Sequence, residues 1–219
     1  MGLKRHPATA YIAPFAVFVA LRWLPFPPER LALVRILLVA STLLWLSRRA
    51  MRRRISFPIG SVLLGIGVLA IWIAPDILWH EYRDAWLFHN RITGIARSTL
   101  SADLKSNPYF IGLRVLESAI LVPIVEELFW RGWLMRWIIR PDFEGVAIGR
   151  YTALSFWAVA LLFASEHGPY WDVGLIAGMA YNWWCVRTRN LADCMLAHAV
   201  TNGLLAAYVL LFDQWQYWM

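Results

Sequence analysis

Seven stretches of this chain run apolar for roughly the length a helix needs to cross a bilayer, and no other feature limits the fold so strongly. A helix must keep about 20 apolar residues together to span a hydrocarbon core about 30 Å thick. The runs are 8–24, 31–47, 59–75, 108–140, 151–167, 170–186 and 191–212, the fourth long enough to be broken. The expected fold class is therefore all-α: a polytopic membrane helix bundle of about seven (six to eight) transmembrane helices.

Composition removes the competing classes. Of 219 residues, 60% are apolar and 16% charged, against about 45–50% and about 25% in soluble domains. A soluble surface needs more charge to stay wetted, which excludes an ordinary cytosolic enzyme; a disordered chain and a disulfide-rich secreted domain are excluded too. The net charge of +7 does not point to nucleic acid, because the basic residues stand at the ends of the apolar runs and form no stripe on a polar fold. Lys and Arg so placed mark the cytoplasmic ends of membrane helices, and the 14 Trp suit the interface. An N-terminus inside gathers Lys4, Arg5, Arg48, Arg49, Arg52, Arg53, Arg54, Arg136, Arg140, Arg150, Arg187 and Arg189 on the cytoplasmic side, against Arg30, Arg83, Arg91, Arg97 and Lys105 outside. That asymmetry favours N-in and C-out. Arg22, Arg35, Arg114 and Arg131 fall within or at the edges of runs. The first run is read as a retained helix. Cys185 and Cys194 show no metal-ligand spacing and read as small buried hydrophobes.

The polar residues inside the runs carry the functional signal. An ionisable group at bilayer depth costs at least about 2.5–3.5 kcal/mol on insertion scales, so each is by default a candidate for function. Glu126, Glu127 and Arg131 lie in the fourth run, Glu166 and His167 end the fifth, and His198 and Asn202 lie in the seventh. Glu127 and Arg131 are four apart with Glu first, so they share a helix face and can neutralise each other. Glu126 is turned about 100° from Glu127, lacks that partner and is available as a proton acceptor. His198 and Asn202, also four apart, put an imidazole and an amide on one face, donors suited to a developing oxyanion. His167 brings a second imidazole from another helix. Together these are the parts of a centre that activates water for hydrolysis.

Each group has a plainer reading when taken alone: an interfacial salt bridge for Glu127 and Arg131, interhelical hydrogen bonds for the histidines and Asn202. The conjunction favours chemistry, since the first three runs carry only Arg near their ends or next to interfaces. Other motifs fail. His80-Glu81 is followed by Asp84 where a zinc protease needs His, and neither GxSxG, a Gly-rich phosphate loop nor GxGxxG occurs. His80, Glu81, Arg83, Asp84, His89 and Arg91 then read as a solvated external segment, an amphipathic helix with Trp79, Trp86 and Phe88 towards the membrane.

Glu126-Glu127 with Arg131, Phe163 with His167, and His198 with Asn202 resemble, in order, the EExxxR, FxxxH and HxxxN motifs of the CAAX prenyl protease and bacteriocin-processing family (CPBP, also called ABI). Leu196 to Asn202 and the tail Gln214 to Trp218 look like the branch associated with exosortase and PEP-CTERM sorting. The resemblance implies an intramembrane endopeptidase in which Glu126 and His167 activate water, His198 and Asn202 stabilise the oxyanion, and Glu127 and Arg131 orient the site. It divides the chain into 1–106, N-terminal transmembrane helices with a polar external insert, and 107–219, a CAAX-protease-like helical core. It implies no cofactor: two His and a Glu could in principle bind zinc, but the roles assigned need no metal, and metal-independent chemistry is favoured. The implied partners are the bilayer, a membrane-anchored protein or peptide substrate and an exosortase-type sorting partner, with no nucleic acid. The implied location is the inner (cytoplasmic) membrane, crossed several times.

Two alternatives compete: a non-catalytic immunity factor or scaffold of an export or sorting system, and, more weakly, a proton-coupled transporter, for which inverted repeats are lacking. One geometric check is unsettled. Counting about 1.5 Å per residue from the cytoplasmic ends puts Glu126 and His167 at similar depth and His198 roughly 10 Å too low.

Overall fold

A computed structural model describes residues 6–22 and 24–218. Lys4 and Arg5 of the topology argument lie outside the described residues. Within them the chain forms eight helices: α1 (Thr9–Leu21), α2 (Pro28–Met51), α3 (Pro58–Leu78), α4 (Ala102–Ser106), α5 (Pro108–Trp137), α6 (Ala153–Ser165), α7 (Trp171–Thr188) and α8 (Leu191–Phe212). The all-α membrane bundle is the observed architecture. Four helices, α2, α3, α5 and α8, are long and apolar enough to cross a membrane. The other three expected runs are helical too, but α1 and α6 have 13 residues each, about 20 Å at 1.5 Å per residue. Asp172, Asn182 and Arg187 dilute α7.

The starts of these helices are written in the sequence. Proline, which has no N–H to lose and a helical φ already set, opens α2, α3 and α5. Side-chain oxygens of Asn107, Thr152 and Asn190 accept backbone N–H groups in the first turns of α5, α6 and α8. Asp193 in the first turn of α8 accepts from Ser56 N at 2.9 Å and Phe57 N at 2.8 Å, which fixes the entry to α3 against α8. Farther along, Gly65 of α3 approaches α8 so closely that a Cβ there would stand 2.5 Å from the Ala197 carbonyl oxygen. The fourth run, long enough to be broken, forms one continuous helix, α5, with wider π turns at Glu117–Leu121 and Leu128–Leu134. Such turns recur at functional sites, and here they flank Glu126 and Glu127.

α5 runs through the middle, touching α1, α2, α6 and α8, while α7 packs along α6 and α8 along α3. Val125, Leu128, Val159, Phe163, Tyr181 and Ala197 form the centre of the core, and both cysteines are buried there as free thiols.

Two expectations require correction. The segment after α3 is not an amphipathic helix: it holds one short 3-10 turn, Tyr82–Asp84, with Phe88 buried and Trp79 and Trp86 largely exposed. Arg83 is buried, not solvated, because carboxylates far away in sequence reach it. Its Nε donates to Asp76 at 2.9 Å, its Nη1 donates to Asp172 at 2.6 Å, and the rings of Tyr82, Phe88 and Tyr170 surround the guanidinium. Likewise Arg35 is not an interfacial charge. It is the eighth residue of α2, buried, and forms a bidentate pair with Glu117 of α5.

Candidate active site

The six residues singled out by the motif argument converge from α5, α8 and the turn after α6. Glu127 and Arg131 are both fully buried and pair through Oε1 and Nη1 at 3.0 Å. The guanidinium then spends its remaining donors on α7: Nε to Asn182 Oδ1 at 2.8 Å and Nη2 to the Gly178 carbonyl at 3.1 Å. Its plane also lies over the Phe163 ring, 4.8 Å from the centroid. Asn182 holds α6 with its amide, which donates to the Phe156 carbonyl at 2.8 Å. Arg131 therefore ties α5 to α7 and, through Asn182, to α6.

The same Glu127 Oε1 stands 3.0 Å from His198 Nδ1. A carboxylate oxygen accepts, so Nδ1 carries the hydrogen and Nε2 is the nitrogen left for other partners. The ring is stacked on Tyr181, with centroids 4.8 Å apart and planes 22° apart, and the Tyr181 hydroxyl donates to Thr201 at 2.8 Å. This contact answers the depth question: His198 and Glu127 lie at one level of the bundle.

His167 follows α6, where the chain leaves the helix. Its Nδ1 lies 2.7 Å from the Phe163 carbonyl oxygen. A carbonyl can only accept, so Nδ1 donates and Nε2 of the neutral ring is a lone-pair acceptor. Trp72 meets the imidazole edge-on at 5.2 Å between centroids. Gly174 on α7 leaves room for it, since a Cβ there would lie 3.1 Å from His167 Cγ. Asn202 donates one amide hydrogen to the Ser118 carbonyl at 2.9 Å, inside the first π turn of α5, and keeps the other.

Glu126 differs from its neighbour in its ionic partners, although Oε2 of each lacks a hydrogen bond. It is buried, forms no ion pair among the described residues, and its Oε2 has no protein hydrogen-bond partner. Glu126, His167, His198 and Asn202 instead line one small cavity of about 80 Å³, closed by Trp72 and Tyr181, large enough to hold water. It adjoins a larger cavity of about 510 Å³ that Glu126, His167 and Asn202 also line. An orphaned carboxylate oxygen and an imidazole Nε2 acceptor on one water-sized space can take a proton from water. An Asn N–H and an imidazole on the opposite helix can face the oxygen on which charge develops.

Residues 108–204 match the family model described as Rce1-like, type II CAAX prenyl endopeptidase. Over that segment the chain is similar to that family. All six motif residues fall inside the matched segment, while α1, α2, α3 and the tail fall outside it. The family is one of membrane-embedded CAAX endopeptidases, and with four spanning helices the chain is a multi-pass membrane protein with the bilayer as its surroundings. No curated protein and no solved structure matches the chain.

Several partners escaped the motif argument. Asn182 was visible in principle, being an amide in the middle of an apolar run. Tyr181 and Trp72 carry no such mark, because an aromatic residue in a span is ordinary. Glu166 lines the larger cavity beside His167, and Glu117 anchors Arg35. Among the described residues no three His, Cys, Asp or Glu side chains converge as a metal site needs.

Proposed function

We propose that the protein is an intramembrane endopeptidase that hydrolyses a peptide bond of a membrane-associated protein or peptide without a metal. Glu126 and the Nε2 of His167 polarise a water in the small cavity, and Glu126 takes its proton as the oxygen attacks the scissile carbonyl. The carbonyl oxygen becomes an oxyanion facing Asn202 and His198. Asn202 offers its second amide hydrogen, and His198, held through Nδ1 by Glu127, turns Nε2 towards the same space. Collapse of the tetrahedral intermediate breaks the C–N bond, and the proton held by Glu126 passes to the leaving amine. Glu127 and Arg131 position His198 and join α5 to α7; they do not touch the substrate.

The observation that carries this reading is the contrast between adjacent glutamates: Glu127 is paired twice, whereas Glu126 is unpaired and lines the cavity with His167. The resemblance of Leu196 to Asn202 and of the tail to exosortase-associated proteins supports an exosortase-type sorting partner and a place in the inner membrane. The direct test is cleavage of N-palmitoylated peptides by the purified protein in micelles. Glu126→Ala and His167→Ala should each abolish cleavage while the protein still inserts and folds. Normal cleavage by either variant would sink the proposal, and loss of folding in both would favour a structural role for the motifs. Chelators should leave the rate unchanged.

A further inference from the structure

Helix α1 reaches the hydrolytic residues from outside the segment that matches the family. Tyr11 meets Gly132, where a Cβ would lie 2.8 Å from its ring, and Phe15 stacks on Phe129 with centroids 4.2 Å apart. As α1 advances from Tyr11 to Phe15 its neighbour on α5 falls back from Gly132 to Phe129, so the two helices run antiparallel. Continuing that register to Arg22 sets it level with about Pro123, three residues and about 5 Å along the axis from Glu126. Phe15, Phe18, Val19 and Arg22, spaced as one helix face, all line the larger cavity, which Glu126, Glu166 and His167 also line.

The other charges near Glu126 are already given to one another. On α5, Glu127 and Arg131 neutralise each other, and His198 on α8 is held by Glu127. On α2, Arg35 is given to Glu117, with Arg114 beside the same carboxylate. Helices α3 and α7 present Trp72, Ala177 and Tyr181 to the small cavity, and no charge; the His167 ring, after α6, is neutral. Arg22 and Glu166 remain. Both act electrostatically on Glu126, and Arg22 acts on Glu166 as well. Burial pushes the Glu166 carboxyl up to about 7, and Arg22 opposes it. Resting on the endopeptidase reading, we infer that Arg22 is a positioning residue of the hydrolytic centre: its charge faces Glu126 across the cavity and keeps that base ionised, while Glu166 competes for the same guanidinium. Only the carboxylate form can accept a proton from water, and a nearby cation favours that form. Arg22 and Glu166 are both exposed, so water and salt screen them, which puts the effect at the low end of what an opposite charge does to a carboxyl, about one pH unit.

The test is a pH profile. The probe is an N-palmitoylated peptide amide without ionisable side chains in neutral-detergent micelles, its cleavage followed by mass spectrometry from about pH 4 to about pH 9, a range that brackets carboxyl titration. Arg22→Gln should slow cleavage about tenfold on the acid side and by less as pH rises, so that the midpoint of the acid limb moves up by about one unit. Arg22→Lys, which keeps the charge, should return the midpoint to within about 0.3 unit, and Glu166→Gln should move it down by about 0.5 unit. Arg22→Met, which keeps the apolar stem, replaces Arg22→Gln if that variant does not fold. A loss by the same factor at every pH, a neutral variant whose profile overlays the parent's, a midpoint that Lys does not restore, or one that Glu166→Gln leaves in place overturns the proposal. If the parent cuts nothing, the endopeptidase reading fails by itself, and the infrared band of the protonated Glu126 carboxyl, identified by its loss in Glu126→Gln, still reads Arg22. The pH at which that band appears should rise by about one unit in Arg22→Gln, and an unmoved band overturns the proposal.

Discussion

Arg131→Ala tests whether the buried pair beside the cavity holds the bundle together. Arg131 is fully buried and donates to Glu127, Asn182 and Gly178, three acceptors on two helices. Truncation removes those bonds and leaves Glu127 with His198 as its one hydrogen-bonding side chain among the described residues. Removing one member of a buried pair costs about 3–5 kcal/mol, mostly from the charge left behind. Interhelical hydrogen bonds in membranes average only about 0.6 kcal/mol, so the lost bonds add little. For a chain of this size 1 kcal/mol moves the midpoint by about 2–4 °C, which gives a fall of roughly 6–20 °C for Arg131→Ala in detergent. Arg131→Lys keeps the charge but not the fork and should fall between it and the parent. Thermal unfolding followed by tryptophan fluorescence measures both. A drop under about 2 °C for the alanine variant would refute the claim that Arg131 fixes α5 against α7.

Three further outcomes follow from the geometry. Gly174→Ala sets a methyl group 3.1 Å from His167 Cγ; the ring must shift by a few tenths of an ångström, and since about 1 Å of misplacement can cost about 100-fold, cleavage should slow about three- to tenfold with little change in melting. Asn202→Ala should lower kcat by about 10²–10³ if the amide faces the oxyanion, and the stranded Ser118 carbonyl should cost about 1–3 kcal/mol; stability lost without the rate effect would leave Asn202 a purely structural cap. In the tail, the Tyr217 hydroxyl donates to Asp76 at 2.6 Å, and burial together with that carboxylate pushes the phenol above its ordinary value of 10.0. A raised folded-state value means the contribution is whole below pH 10 and lost as pH rises beyond it. Tail packing, read from Trp215 and Trp218 fluorescence, should therefore weaken only above about pH 10, and Tyr217→Phe should remove that alkaline step.

The helices and most of the site are legible in the sequence because the membrane makes polar residues expensive. Glu126, Glu127, Arg131, His198 and Asn202 stand out in apolar runs, and helical spacing alone separates the paired glutamate from the unpaired one. What spacing does not carry is which helix lies beside which. Arg35 reads as an interfacial charge until α2 is seen against Glu117, 82 residues away. Arg83 reads as solvated until Asp172, 89 residues on, closes over it. Tyr181 and Asn182 of α7 complete the surroundings of His198 and Arg131, yet nothing local ties them to those residues. The π turns of α5 are equally hidden, since a stretch such as Leu128–Leu134 has no composition that forbids an ordinary helix.

The central claim is that Glu126 is placed for chemistry and Glu127 for structure, and Glu126→Gln tests it most directly. Glu126 has no ion pair to lose, so the variant should melt within about 2 °C of the parent or above it. Loss of the general base should slow cleavage of a membrane-anchored peptide by about 10²–10⁴-fold. A Glu126→Gln protein that cleaves at the parent rate, or that loses activity only because it has unfolded, would contradict the account.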